Sequence, residues 1–241
     1  INNNPEYFYH GATLRAADDV TKYSVVESII ETLPHDARLR SYHPDQGYTY
    51  LRDVQAVLSH IKKAGLTPQD FKKVLDKNDQ DILVLNERLG PILSKTVSQS
   101  SFDEFTAEFS KLHKERGNAN VLSYHSLIDA LYMNFTSSVH EKTDLSAWKE
   151  KHTEKNTKGD REFNGTSRAD ILREFLTVYE KYSTEMFNQG YYDFDDMILD
   201  VLKAVEKNET LRFRLQEQYQ YILVDEFQDT NYAQFQIVKL L

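Results

Sequence analysis

Residues 221–231 read YILVDEFQDTN: four apolar or aromatic residues running into the acidic pair Asp225-Glu226, with ten residues after them. A short apolar run of this kind predicts a buried strand over 221–225. In open α/β sheets, ligands bind at the carboxyl ends of strands. A carboxylate fixed there organises magnesium and its waters, and a neighbouring acid orients or deprotonates the water that attacks a phosphoryl group. The competing reading of the same residues is a strand end followed by an acid-rich turn.

Outward from this strand, helix dominates. Eight glycines and five prolines in 241 residues give little of the turn punctuation a β-rich fold needs. Residues 48–63 carry Leu51, Val54, Leu58 and Ile61 at helical spacing and stop before Gly65. Thr67-Pro68-Gln69-Asp70 starts the next helix, with a Thr cap and Pro at the first helical position. Ser101 precedes an aromatic stripe, Phe102, Phe105, Phe109 and Leu112, closed by Gly117. Core packing explains such a stripe better than base stacking does. Residues 121–135 read as a mostly buried helix, whereas 141–165 is polar and predicts a mobile segment in which Trp148 is a docking anchor. Ser167 caps a long helix with Ile171, Phe175, Val178 and Tyr182 inside, ending near Gly190. Asp193 opens another with Asp196 at its third position, where the helix dipole favours an acid. Residues 208–217 form a short helix, and Thr230 or Asn231 caps the last, which contains Phe235, Ile237, Val238 and Leu241.

Composition narrows the chemistry. A hydrophobic content of 40% supports a real core, and no apolar run is long enough to cross a bilayer. The absence of cysteine excludes disulfides, thiolate metal sites and cysteine nucleophiles, which fits a cytoplasmic protein. A net charge of -9 argues against a general polyanion binder. Two basic patches, Lys111, Lys114, Arg116 and Lys149, Lys151, Lys155, Lys158, Arg161, read as solvated helix faces and a polar loop.

The longer string is more specific than the strand. Val224 to Asn231, followed by Ala233, Gln234 and Phe235, resembles motif II (Walker B) of the UvrD/Rep/PcrA-like superfamily 1 DNA helicases. Upstream, Tyr192-Asp193-Phe194-Asp195-Asp196-Met197-Ile198 resembles the family's DFDDL segment, in the expected order. The resemblance is strong over residues 168–241 and architectural before that. It implies a mainly α chain: a helical 1B-like insertion domain over residues 1–190, then one strand and helix of a truncated P-loop (RecA-like) α/β motor domain, 1A, over 191–241. It implies that Asp225 holds magnesium through its water shell, that Glu226 is the catalytic base, and that Gln228 couples the γ-phosphate to the DNA-bound state. Asp229, Thr230 and Asn231 support the turn. ATP and Mg2+ are the implied cofactors of the whole helicase, with DNA and repair or recombination proteins as its partners and no membrane.

A motor of this family also needs a phosphate-binding loop, GxxxxGK[ST]. The nearest string, Gly90-Pro91-Ile92-Leu93-Ser94-Lys95-Thr96, is one residue short before the lysine and has serine in place of the second glycine. The sequence therefore reads as a stretch of a longer ATP-dependent DNA helicase, inactive alone and expected to hold no cofactor alone, whose strand 221–225 either packs on helices with an irregular edge or pairs between chains. A non-catalytic helical module contacting DNA or protein is the alternative. Metal-dependent nuclease chemistry would require Asp193, Asp195, Asp225 and Glu226 to converge.

Overall fold

Apolar residues at helical spacing become helices almost wherever the sequence places them. The computed structural model describes residues 4–8, 14–117, 125–163 and 166–241. In chain order the elements are β1 (Arg15–Ala16), α1 (Asp19–Glu31), β2 (Tyr42–His43), β3 (Gly47–Tyr48), α2 (Leu51–Lys63), α3 (Pro68–Ser94), α4 (Gln99–Leu112), α5 (Leu127–Ser138), α6 (Lys142–His152), β4 (Thr153–Lys155), β5 (Arg161–Phe163), α7 (Thr166–Asn188), β6 (Tyr191–Tyr192), α8 (Phe194–Lys207), α9 (Glu209–Gln218) and α10 (Tyr232–Leu240). The chain is mainly α. Among the described residues the strands form three two-stranded ladders: β1 with β6, parallel, and the antiparallel pairs β2–β3 and β4–β5. No helix among the described residues is long and apolar enough to cross a membrane.

The chain divides into two units, Ile1–Phe71 with Glu174–Leu241, and Lys72–Arg173. These boundaries differ from the expected division at residue 190. The physical reason is that α8 buries its apolar face against α2 and α10, so residues before 72 and after 173 share one core.

In the first unit, α2 presents Leu51, Val54, Leu58 and Lys62 inward. It ends at Gly65, whose φ of 76° is the left-handed conformation glycine tolerates. There the Gly65 N–H donates to Lys62 O (2.8 Å) and the Leu66 N–H to Ile61 O (3.2 Å), which satisfies two terminal carbonyls. A Cβ at Gly65 would lie 3.2 Å from Leu202 Cδ2, so the glycine also permits the close approach of α8. The expected start of α3 is present: Thr67 Oγ1 accepts from the Asp70 N–H (3.2 Å) and donates to Asp70 Oδ2 (2.7 Å). Along α8, Ile198, Leu199, Leu202 and Val205 are buried, and Ala233 of α10 packs on Ile198 and Leu202.

In the second unit, the aromatic stripe of α4 is core. Phe105 and Phe109, both fully buried, meet Leu85 and Leu89 of α3, Phe135 of α5, and Leu145 and Trp148 of α6. Phe105 lies 5.4 Å from Phe109, 5.2 Å from Phe135 and 5.7 Å from Trp148, ring centre to ring centre, the separations aromatic pairs favour. The helix is capped by Ser98 rather than Ser101: Ser98 Oγ accepts from the Ser101 N–H, and Ser101 Oγ returns a bond to the Ser98 N–H.

The polar stretch 141–165 differs from expectation, carrying α6 and the β4–β5 hairpin. Its few apolar residues converge, since Leu145, Trp148 and Phe163 all enter the same core, and Trp148 Nε1 donates to Asn134 Oδ1 at 3.0 Å. Asp144 accepts from the N–H groups of His140 and Glu141, and Asn156 Oδ1 accepts from those of Lys158 and Asp160, closing the hairpin. Trp148 is thus the anchor it was read to be, with one polar handle and a large buried ring. Of the helix expected over 121–135, residues 121–124 lie outside the described residues, and α5 begins at Leu127 under a Ser126 cap. The expected Ser167 cap likewise lies among side chains outside the described set.

Residues 221–225 form no strand. Tyr221 to Val224 take no regular secondary structure, and with Tyr221 91% and Leu223 98% exposed the buried strand expected there is not found. A parallel strand is stable only when neighbours take its N–H and C=O groups, and among the described residues no strand lies beside it.

Candidate functional site

The acidic motif lies on an exposed turn between this run and α10. Glu226 has φ 47° and ψ 47° and is the one non-glycine residue with positive φ among the described residues. That conformation crowds Cβ and is uncommon for a residue of this type. It bends the chain sharply after Asp225, whose Oδ1 accepts the Glu226 N–H at 2.9 Å. A 3-10 turn follows over Phe227–Asp229, closed by Asp229 N–H to Glu226 O (2.8 Å) and Thr230 N–H to Phe227 O (3.1 Å). Gln228 Nε2 donates to Glu226 Oε2, so the amide and the carboxylate are directly joined.

Asn231 ends the turn and caps α10. Its Oδ1 accepts from the Gln234 N–H (2.9 Å), and Gln234 Oε1 accepts from the Asn231 N–H (3.0 Å). Between Thr230 and Asn231, the two caps the sequence allowed, the structure chooses Asn231. Phe227 packs edge-on against Phe235 at 5.8 Å, tying the turn to the helix. Removing the cap by Asn231→Ala is expected to cost about 1 kcal/mol, within the usual 0.5–2 range, read as a lower urea midpoint with earlier hydrogen exchange in α10.

Asp225 and Glu226 supply two exposed carboxylates, hard oxygen donors of the type magnesium takes. These residues suit a water-mediated role with a nucleotide-bound magnesium, which keeps several of its waters. They do not make a complete protein cage: among the described residues no group of three acids or histidines comes together to hold an ion. The convergence of Asp193, Asp195, Asp225 and Glu226 that nuclease chemistry requires is therefore not found there.

Asp193, Asp195 and Asp196 have other partners. Asp193 caps α8, accepting the Asp196 N–H at 2.6 Å. The buried Lys62 of α2 reaches Asp193 Oδ2 at 2.7 Å and Asp196 Oδ1 at 2.5 Å, and Ser59 Oγ donates to Asp195 Oδ2 at 2.6 Å. From α7, the Tyr182 hydroxyl donates to Asp193 Oδ2 at 3.1 Å. Burial works against ionisation of Asp193, but the Lys62 charge and the hydrogen bonds of Lys62, Asp196 and Tyr182 outweigh it and hold this acid below the usual range. For Asp196, burial together with the Asp193 charge prevails over the attraction of Lys62 and pushes it up to about 7. Burial and the neighbouring aspartates push the hydroxyls of Tyr179 and Tyr182 up as well.

Sequence reasoning missed Lys62. The available signal was its spacing: Leu51, Val54, Leu58 and Lys62 are separated by three, four and four, so a lysine continues an apolar stripe. A cation at such a position implies a buried acid opposite it.

The glycine string 90–96 is structural. Gly90 to Ser94 belong to α3, and a Cβ at Gly90 would lie 3.1 Å from Arg161 O, so the glycine admits the hairpin. Ser94 Oγ accepts the Arg161 N–H at 2.7 Å, and Lys95 pairs with Glu104. In the second basic patch, Arg161 turns inward to Glu150 and Thr153.

A family model described as the UvrD/REP helicase N-terminal domain matches residues 12–241. The chain is similar to the ATP-dependent DNA helicase Rep of Escherichia coli, 42% identical over 69 residues, which is 29% of this chain and 10% of that protein. It is also similar to Rep of Buchnera aphidicola from Acyrthosiphon pisum, 36% identical over 69 residues, covering 29% of this chain and 11% of that protein. Similarity to DNA helicase II of Haemophilus influenzae is 38% over 69 residues, 29% of this chain and 10% of that protein. The chain spans about a tenth of the length of these curated relatives. No solved structure matches it significantly.

Proposed function

This chain belongs to the UvrD/REP helicase family, and on that premise we propose that it supplies the hydrolytic acids of motif II to the first motor domain of an ATP-dependent DNA helicase. The observation that carries the reading is the turn at Glu226. A glutamate in the left-handed conformation, exposed beside Asp225 and joined to Gln228, is local strain placed where the chemistry would be. Strain of this kind persists only when the surroundings enforce it, and here the 3-10 turn, the Asn231 cap and the Phe227–Phe235 contact do so.

In this reading Asp225 binds the water shell of the nucleotide's magnesium, which when bound neutralises charge on the phosphates. Glu226 orients the attacking water and accepts its proton. Gln228, hydrogen-bonded to Glu226, holds that carboxylate in position and couples it to the state of the γ-phosphate. Asp229, Thr230 and Asn231 maintain the turn. The unit Lys72–Arg173 is assigned to the helical 1B-like insertion, a narrower span than residues 1–190, and its separate aromatic core supports the assignment. DNA is the substrate of the assembled motor.

The 241 residues contain no GxxxxGK[ST] loop, so the acids stand without amides or a lysine to hold phosphates. The isolated chain is expected to show no DNA-stimulated ATP hydrolysis above a Glu226→Gln control in a phosphate-release assay. Turnover that this substitution removes would overturn the division of labour proposed here.

A further inference from the structure

Two carboxylates share one ammonium where α2 meets α8. The Lys62 side chain is fully buried, and its Nζ lies within 2.7 Å of Asp193 and 2.5 Å of Asp196. With both acids ionised, the largely buried cluster carries one more negative than positive charge, an arrangement that is costly unless compensated.

The surroundings compensate it only in part: the N-terminus of α8 favours acids at both positions, and Arg52 lines the cleft beside Asp193. On α2, Ser59 is engaged by Asp195. On α7, the Tyr182 hydroxyl already donates to Asp193 while its ring faces Lys62 Nζ at 4.5 Å, and the Tyr179 hydroxyl donates away, to Leu66 O. Asp195 and Asp200 of α8 add negative charge, as does Asp70 at the start of α3. Lys203 is held by Asp70 and Glu206. A cleft of about 540 Å³ lined by Arg52, Gln55, Ser59, Tyr182, Asp193 and Asp195 opens on the Asp193 side of the cluster. The same helix α8 is the surface on which α10 packs through Ile198, Leu202 and Ala233.

We propose that the Lys62–Asp193–Asp196 cluster is a proton-operated junction: one proton taken from water by the carboxylate pair removes the surplus charge, tightens α8 against α2, and firms the platform on which α10 holds the turn Asp225–Asn231. The junction stands on its own geometry, and only its consequence for the turn rests on the helicase reading. The proton resides on Asp196, which burial and the Asp193 charge raise to about 7, while Asp193 stays ionised against Lys62. An acid raised in the folded state binds its proton more tightly there than in the unfolded chain. Its stabilisation is complete below the ordinary aspartate value of about 3.9, and is lost as pH rises through about 7.

The test is amide hydrogen exchange of the 241-residue chain at pH 6 and pH 8, corrected for intrinsic rates, in the wild type and Asp196→Asn. In the wild type, protection in α8 and α10 is expected to be greater at pH 6 by about tenfold, as a single linked proton with its midpoint at about 7 gives. In Asp196→Asn the ratio falls to about one. A pH ratio that survives in the variant, or none in the wild type, overturns the proposal. Should the variant not fold, the Asp196 carboxyl carbon is titrated by NMR in the wild type: a midpoint near 7 supports the junction, and one below about 5 refutes it. Neither measurement uses nucleotide or DNA, so failure of the helicase reading and failure of the junction are distinguishable.

Discussion

In a protein that carries this chain together with a phosphate-binding loop and second motor domain, Glu226→Gln is expected to lower DNA-dependent ATP turnover by ~10²–10⁴-fold while leaving nucleotide affinity near wild type. A group that positions or deprotonates water acts mainly in the transition state, so its loss is felt in kcat rather than in binding. The turn should survive the change. Gln retains a side-chain carbonyl to accept from Gln228, and the backbone bonds Asp229 N–H to Glu226 O and Thr230 N–H to Phe227 O do not involve the carboxylate. Asp225→Ala is expected to weaken magnesium-dependent nucleotide binding as well as turnover. It removes a ground-state ligand of the magnesium waters and the acceptor of the Glu226 N–H. Steady-state ATPase rates paired with fluorescent-nucleotide titrations separate the two effects. If both variants turned over ATP within about threefold of wild type, well inside the loss expected of a catalytic acid, the assignment of YILVDEFQDTN to motif II would be wrong.

Phe105→Ala is expected to destabilise the unit Lys72–Arg173 by about 3–5 kcal/mol, the usual cost of truncating a fully buried phenylalanine. Phe105 is 0% exposed and touches the rings of Phe109, Phe135 and Trp148, so the cavity opens among aromatic side chains that cannot collapse without disturbing their own ring contacts. Trp148 is the lone tryptophan and belongs to this core, which makes its fluorescence in urea a direct readout. A midpoint unchanged from wild type would mean that the stripe Phe102, Phe105, Phe109 and Leu112 is not core. Circular dichroism of the intact variant at low urea should still show a helical protein, because α8 and α10 pack in the other unit.

Much of the secondary structure was legible because it depends on neighbours in sequence. The Thr67–Asp70 start, the stop at Gly65, the Asp193 cap and the Asn231 cap are each set by residues within a few positions, and the structure has them all. The start of α4 shows how narrow that legibility is. Ser98 and Ser101 are both good caps, and only their reciprocal bonds assign the role to Ser98. The candidate site was legible as a string, since Asp225-Glu226-Phe227-Gln228 carries the family resemblance. Its shape was not, because an apolar run becomes a strand only if other strands lie beside it, and Tyr221 to Val224 have none among the described residues.

The sequence by itself determined that this protein is mainly helical, where several of its helices start or stop, and which acids carry the family resemblance, because propensity, capping and motif chemistry act over a few residues. Tertiary structure alone decided the rest. It turned a polar stretch into α6 and a hairpin, because Leu145, Trp148 and Phe163 found one core from positions spread over nineteen residues, 145 to 163. It joined the residues before 72 to those after 173, because the apolar face of α8 has its partners on α2 and α10. And it drew Lys62 to Asp193, 131 residues along the chain, and to Asp196, because a lysine on the buried face of a helix must find its counter-charges wherever the fold brings them.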